Sequence, residues 1–148
     1  MAVHDNSYYL AKSKIQEAWD QDKDILDLSS IGLTEVPKLL ERLPQINSLD
    51  LSFNKLDELP DFISRLANLR SLNLSNNKVT RLPESLMQLS QLQSLNLSGN
   101  QLTALPESLG QLLQLRSLDL DSNQLMTLPE SLGQLIQLQT LRVCPKIS

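Results

Sequence analysis

Apolar and polar residues follow a pattern that repeats every 23 residues along most of this chain. Two series of identical residues set that period: Asn54, Asn77, Asn100 and Asn123, and Pro37, Pro60, Pro83, Pro106 and Pro129. Residues 92–114 match residues 69–91 at 16 of 23 positions, and they match residues 115–137 equally well. The shared pattern is L-x-x-L-x-L-x-x-N-x-L-x-x-L-P-x-x-L-x-x-L-x-x. It defines five full units and a partial sixth: 23–45, 46–68, 69–91, 92–114, 115–137 and 138–143.

Each unit divides into a strand, a turn and a short helix. In "SLDLS" apolar and polar residues alternate, which predicts a half-buried strand with Leu49 and Leu51 pointing inward. Its outward positions are Ser48, Asp50 and Ser52. The asparagine that follows is expected to turn inward, so the four asparagines form a structural ladder whose amides must bond the backbone. The Leu-Pro pair ends the extended segment, and the leucines three apart in "PESLGQLLQL" predict a short α or 3₁₀ helix.

No single unit can bury its leucines alone, so neighbouring units must stack. The strands of successive units then form one parallel sheet on a concave face, and the short helices line the convex face. This predicts an α/β solenoid. We expect two parts: an N-terminal capping helix within residues 1–22 and the repeat domain over residues 23–148.

Residues 7–20 predict an amphipathic helix that shields the leucines of the first unit. Its apolar stripe comprises Tyr8, Ala11, Ile15, Ala18 and Trp19. Asn6 or Ser7 is the expected N-cap. The ends of a repeat array need a cover, which favours a lid; a helix that binds a partner is the alternative.

The C-terminal sequence "LRVCPKIS" supplies no comparable polar cap. Five leucines are therefore expected near an open end: Leu128, Leu132, Leu135, Leu138 and Leu141. An uncovered edge strand is prone to pair with another chain. Two explanations stay open: the chain is part of a longer or naturally short array, or two copies associate through this end.

Composition disfavours several classes of function. The net charge is −4 and no window is dense in Lys or Arg, so the electrostatic footprint of a nucleic-acid-binding protein is missing. The single cysteine, Cys144, cannot form an internal disulfide. No signal sequence and no apolar run of transmembrane length is found. We expect a cytoplasmic protein without nucleic-acid or membrane partners.

Side chains for catalysis or for binding a cofactor are scarce. His4 is the only histidine, and the four glycines form no phosphate-binding loop. Cys144 follows Arg142 by two residues on the predicted strand, but an inert thiol is the commoner case. We expect a chain that is not an enzyme and that holds no metal and no cofactor.

The concave face is the expected partner surface, because repeat proteins bind through such extended surfaces. Its candidate residues are Asp50, Phe53, Arg70, Asn73, Asn96, Arg116, Asp119 and Arg142. The acidic members could hold a cation, but asparagines interrupt the column and the carboxylates would sit in water. Aromatic and Arg residues usually provide the anchors of an interface. Phe53, where other units carry Ser, Asn or Gly, either fills space over small neighbours or is such an anchor.

The repeated pattern resembles the leucine-rich repeat family over residues 23–143. Its L-P-x-x-L-x-x-L version is similar to intracellular Ras-group repeats and to the repeat region of Roco proteins. The lead-in "LAKSKIQEAWDQDKDILDLSSIGLTEVP" is similar to the N-terminal region of bacterial Roco-type repeats. One departure is Ile31, which stands where the other units have Asn, so the asparagine ladder starts in the second unit.

The resemblance implies a right-handed horseshoe that acts as a protein-interaction module or scaffold. Its partner would be a separate protein or another domain of the same original chain. In the Ras and Roco groups such repeats are linked to small-GTPase signalling. The alternative is the substrate-recognition arm of a larger enzyme, such as a Roco GTPase or a bacterial ubiquitin ligase.

Overall fold

The computed structural model describes residues 5–144, so His4 lies outside the described residues. Helix α1 spans Asn6–Asp20. The strands are β1 (Ile25–Asp27), β2 (Ser48–Asp50), β3 (Ser71–Asn73), β4 (Ser94–Asn96), β5 (Ser117–Asp119) and β6 (Thr140–Arg142). The 3₁₀ helices are η1 (Lys38–Arg42), η2 (Asp61–Arg65), η3 (Glu84–Gln88), η4 (Glu107–Gln111) and η5 (Glu130–Gln134).

The strands form one parallel sheet in chain order, β1 to β6. Equivalent positions pair in register, so Leu49 stands beside Leu72. Backbone bonds continue beyond the three-residue strands: the Phe53 N–H donates to the Ser75 carbonyl at 2.9 Å. Each unit therefore repeats its neighbour's path at one strand spacing, about 4.8 Å. The predicted solenoid, with one parallel sheet on its concave face, is confirmed.

Proline begins the return of the chain along the convex face. Pro60 precedes η2 with an extended backbone, φ −73° and ψ 153°. Its carbonyl accepts a hydrogen bond from the Ile63 N–H at 3.1 Å, and this bond opens the first 3₁₀ turn. Pro lacks an N–H, so it ends the preceding extended segment without leaving a donor unpaired. The same geometry recurs at Pro83, Pro106 and Pro129.

The leucines of adjacent units form one continuous core. Leu72 and Leu95 are each 1% exposed, because a neighbouring unit covers them on both sides. No strand of the described residues follows β6, and there Leu141 is 43% exposed, whereas its equivalent Leu118 is 0% exposed. Leu128, Leu132 and Leu138 are partly buried. Of the five leucines expected at an open end, Leu141 is thus exposed, three are partly buried, and Leu135 is buried, so the prediction for Leu135 is wrong.

Helix α1 covers the first unit with a narrower stripe than predicted. Ala11, Ile15 and Ala18 are buried, as expected. Trp19 was placed on the same stripe, and that prediction is wrong, since its side chain is 56% exposed. Successive helical residues are turned by about 100°, so Trp19 lies beside the line through Ile15 and Ala18.

The cap of α1 lies just before the residues predicted for it. Asp5 is the N-cap, and its Oδ1 accepts the Tyr8 N–H at 3.2 Å. Asn6 and Ser7 are both helical. The prediction of Asn6 or Ser7 is therefore wrong by one or two residues, because Asp caps a helix as well as Asn or Ser does.

Candidate functional site

The concave face carries a row of Asp and Asn side chains across the sheet. In-register pairing aligns Asp50 with Asn73, then Asn96, then Asp119. Each of the four accepts a hydrogen bond at Oδ1 from the backbone N–H two residues later, at 2.9–3.0 Å. The row therefore closes the turn after each strand. This role takes one oxygen of each side chain and leaves its second terminal atom for a partner.

The serines after these strands are not all outward residues. Ser52 was predicted to point outward, and that is wrong, because it is 4% exposed; its equivalent Ser75 is 5% exposed. The Ser52 Oγ donates to Asp50 Oδ1 at 2.6 Å. Ser52 therefore belongs to the turn that Asp50 closes, and it is absent from the exposed surface. The exposed part of the concave face is therefore narrower than strict strand alternation predicts.

The four ladder asparagines bond the backbone of neighbouring units. Asn77 is 7% exposed, and its Nδ2 donates to the carbonyls of Leu51 at 2.9 Å and Leu74 at 3.0 Å. Its Oδ1 accepts the Leu56 N–H at 3.0 Å. Asn54, Asn100 and Asn123 make the same set of bonds. Each amide thus links its own turn to that of the preceding unit.

Phe53 occupies a left-handed backbone position. Its φ is 55°, and the equivalent residues of four other units also have positive φ: Ser30, Asn76, Gly99 and Ser122. Gly and Asn adopt this conformation readily, whereas a bulky side chain there costs about 1–2 kcal/mol. The Phe53 side chain is also 61% exposed. Neither backbone preference nor burial favours a phenylalanine at this site.

Sequence reasoning missed both the turn-closing row and the left-handed column. A signal for the column was present, because Asn76 and Gly99 stand at positions equivalent to Phe53, and these residue types favour positive φ. A signal for the row was the Asp or Asn two residues before a small residue, which is typical of such turns.

The two central arginines of the face lie away from Phe53. Arg70 and Arg116 are exposed and come directly before β3 and β5, at the opposite ends of the strands from Phe53. In the frame of one unit Arg70 precedes the Phe53 position by six residues, or about 20 Å of extended chain. Arg70 also lines a polar depression of about 300 Å³ with Gln45, Asn47, Asn68 and Gln91. The predicted residues therefore form an elongated strip, with Phe53 and the two arginines at opposite ends of the strands.

The C-terminal edge of the face differs from the rest. Arg142 stands on β6 in line with the Asp and Asn row, and its Nε lies 3.3 Å from Asp121 Oδ2. Cys144 is exposed. The guanidinium is thus paired with a carboxylate of the neighbouring unit, so the structure gives no support for a thiolate activated by Arg142.

Within residues 5–144 the structure places no three His, Cys, Asp or Glu side chains where they could share a metal ion. Over the same part of the chain, no helix has the length and the apolar character needed to cross a bilayer.

Asp27 stands on β1, in line with the Asp and Asn row. Its pKa lies below its usual value, chiefly because the Ser29 Oγ donates to Oδ1 at 2.6 Å. The Ser29 N–H adds a second bond at 2.9 Å, and the charge of Lys14 on α1 acts in the same direction. Slight burial opposes these effects. The carboxylate form of Asp27 is thus held by the turn that it closes.

The chain is similar to known repeat proteins. A family model described as a leucine-rich repeat region matches residues 61–148, and one described as a leucine-rich repeat matches residues 45–66. No curated protein sequence matches. Among solved structures, the chain is similar to a leucine-rich repeat protein of Leptospira interrogans (34% identity, TM-score 0.67) and to YopM of Yersinia enterocolitica (32% identity, TM-score 0.72). A Shigella effector leucine-rich repeat domain is also similar (26% identity, TM-score 0.77).

These likenesses cover most of this chain and a smaller part of the other proteins. The matched share of this chain is 84% for the Leptospira protein, 86% for YopM and 97% for the Shigella domain. The chain spans 38%, 27% and 59% of those chains, respectively.

Replacing Asn77 by Asp should lower the free energy of unfolding by about 2–4 kcal/mol. The substitution keeps Oδ1 but puts an oxygen where Nδ2 now donates to the Leu51 and Leu74 carbonyls. Urea denaturation at pH 7 measures the change. The control is Asn68→Asp, since Asn68 is exposed and its Nδ2 bonds only the Pro44 carbonyl among the described contacts. Equal losses in both variants would contradict the ladder's role.

The depressed pKa of Asp27 predicts a specific loss of stability in acid. Its contribution is complete above the unfolded-state value, near pH 4, and disappears as the pH falls through the lower folded-state pKa. Unfolding free energies measured between about pH 5 and pH 2 should therefore fall less steeply for Asp27→Asn than for the unmodified chain. Ser29→Ala removes the largest cause of the shift and should reduce the slope as well. An unchanged slope in both variants would refute this explanation.

Proposed function

The chain belongs to the leucine-rich repeat family, and from this premise we propose that it is a protein-interaction module that binds its partner through the concave face. The face has the form expected of such a surface: a parallel sheet whose outer residues are polar, with larger side chains at its edges. The partner is a protein or a neighbouring domain of the same polypeptide.

Phe53 is the observation that carries this proposal. The residue costs stability through its positive φ, and it recovers little through burial, because 61% of its side chain is exposed. Strained and exposed residues of this kind concentrate at functional sites. Aromatic side chains are also enriched among the residues that dominate binding energy. A binding role accounts for both features of Phe53 at once.

The spacing of the anchors favours an extended partner segment. Phe53 follows β2 and Arg70 precedes β3, so the two residues stand at opposite ends of neighbouring strands, at most about 20 Å apart along the strand direction. A protein segment that runs along these strands would reach Phe53 at one end and Arg70 at the other, with the Asp and Asn row between them.

The alternative is that the module serves as the recognition arm of a larger protein. The similarity to a Shigella effector repeat domain supports this version. A regulatory role near small GTPases is a further refinement, supported by the likeness of the L-P-x-x-L-x-x-L pattern to Ras-group and Roco repeats. Both versions use the same concave face.

Phe53→Asn should separate binding from stability. Asn76 occupies the equivalent backbone position at φ 58°, so the variant should be more stable by about 1 kcal/mol. Peptides selected from a displayed library on the unmodified protein should bind the variant at least tenfold more weakly. Arg70→Glu should weaken the same peptides at constant stability.

The control for this experiment is Ile136→Ala. Ile136 is 87% exposed and follows the convex η5, and Ala67 stands at its equivalent position. Binding should be unchanged in this variant. Selected peptides that bind all three variants as tightly as the unmodified protein would refute the concave face as the partner surface.

Association of two copies through the C-terminal end is a second proposal, supported by the exposed edge of β6. Leu141 is 43% exposed there, and the strand edge is uncovered among the described residues. Sedimentation velocity should then show a dimer at high protein concentration, and Leu141→Lys should abolish it. A monomer over the range from about 1 µM to 1 mM would refute this proposal.

A further inference from the structure

A small cleft lies at the N-terminal end of the array, between α1 and η1. Its lining comprises Ile15, Gln16 and Trp19 of α1 together with Leu39, Arg42 and Leu43. Ile15 and Leu43 are core residues, 1% and 0% exposed, so they form the floor. Trp19 and Arg42 are exposed and stand at the mouth. This cleft is separate from the concave face and has no part in the binding proposed there.

The size of the cleft restricts what it can hold. Its volume is about 130 Å³. A dry apolar cavity of about 150 Å³ takes one molecule the size of benzene, whereas sites for drug-sized ligands and cofactors have about 300–1,000 Å³. The space therefore suits one apolar side chain, of about the size of leucine. The apolar floor formed by Ile15 and Leu43 agrees with such an occupant.

The charge at the mouth adds a second requirement. Arg42 is exposed. Two ion pairs among the described residues join Lys23 to Glu17 and Arg65 to Glu41, and Arg42 belongs to neither pair. Gln16, which also lines the cleft, donates through Nε2 to Asp20 Oδ1 at 3.0 Å. A guanidinium beside an apolar space is complementary to a carboxylate next to an apolar group. Trp and Arg are also the residues most enriched where binding energy concentrates.

We propose that this cleft binds an apolar side chain of a partner polypeptide that is followed closely by a carboxylate. The side chain enters between Trp19 and Leu39 and covers Ile15 and Leu43. The carboxylate bonds the Arg42 guanidinium. The site would give the module a second contact, at the N-terminal end of the array and separate from its concave face.

The single tryptophan of the chain reports directly on this cleft, because Trp19 lines it. N-acetyl-leucine carries the two groups that the proposal requires and serves as the probe. Its titration should change Trp19 emission saturably, with half-saturation at about 1–10 mM, as expected for a ligand of that size. N-acetyl-leucinamide, which lacks the carboxylate, should bind at least threefold more weakly, and acetate should give no saturable change.

Arg42→Gln tests the role of the guanidinium. The variant should bind N-acetyl-leucine only as weakly as the amide, while its binding of N-acetyl-leucinamide stays unchanged. The matched control is Arg65→Gln, because Arg65 stands at the equivalent position of the next unit and lies outside the cleft. That control should bind both probes like the unmodified chain. Circular dichroism melting verifies that the variants fold.

Three results would overturn the proposal. A linear, unsaturable change in Trp19 emission with N-acetyl-leucine would show that the cleft holds no side chain. Equal affinities for the acid and the amide, in the unmodified chain, would remove the carboxylate from the proposal. A saturable response to acetate alone would show a general anion site without an apolar requirement. None of these three tests needs a variant, so a folding defect in Arg42→Gln would not prevent a decision.

Discussion

The amide of one buried asparagine per unit is the contact on which the stacking depends. Leucine burial favours compactness, but it is not directional and permits sliding between units. The Asn77 amide bonds carbonyls of its own unit and of the preceding one, at 3.0 and 2.9 Å. These bonds satisfy backbone groups that would otherwise be buried without partners, and they allow only one register. The in-register rows of the sheet, and hence the residues that the concave face presents, follow from this contact.

The concave face combines structural and functional demands in the same residues. Its Asp and Asn row closes the turn after each strand, so these side chains are required by the fold whether or not a partner binds. Phe53 is different, because its φ of 55° and its exposure both work against stability. A residue that the fold disfavours is better evidence of function than one that the fold requires. Trp19 is likewise an aromatic residue that the fold leaves exposed, beside the buried stripe of α1.

The repeat architecture could be predicted because its signals are local and are repeated several times. Period, strand alternation, the turn asparagine and Leu-Pro pairs all lie within 23 residues, so each copy reinforces the interpretation. The wrong predictions for Ser52 and Trp19 each have a physical cause. Simple alternation places Ser52 outward, but Ser52 lies in the turn that Asp50 closes and is buried. Trp19 was assigned to the stripe because a helix sequence indicates a face only to within about one residue's rotation, 100°. The cleft beside Trp19 joins residues of α1 to residues at least 20 positions later in the chain, and no local pattern indicates it.

The sequence by itself determined the 23-residue period, the strand of each unit, the inward leucines and the ladder asparagines, because stacking of near-identical units leaves one solution for their burial. Only the tertiary structure decided which polar residues remain accessible and which residues meet across units. Turn geometry decides the first, since it placed Phe53 at positive φ and removed Ser52 from the surface. The angle at which α1 lies over the first unit decides the second, because it brings Trp19 and Arg42 to one cleft. Both depend on packing directions that a linear pattern does not contain.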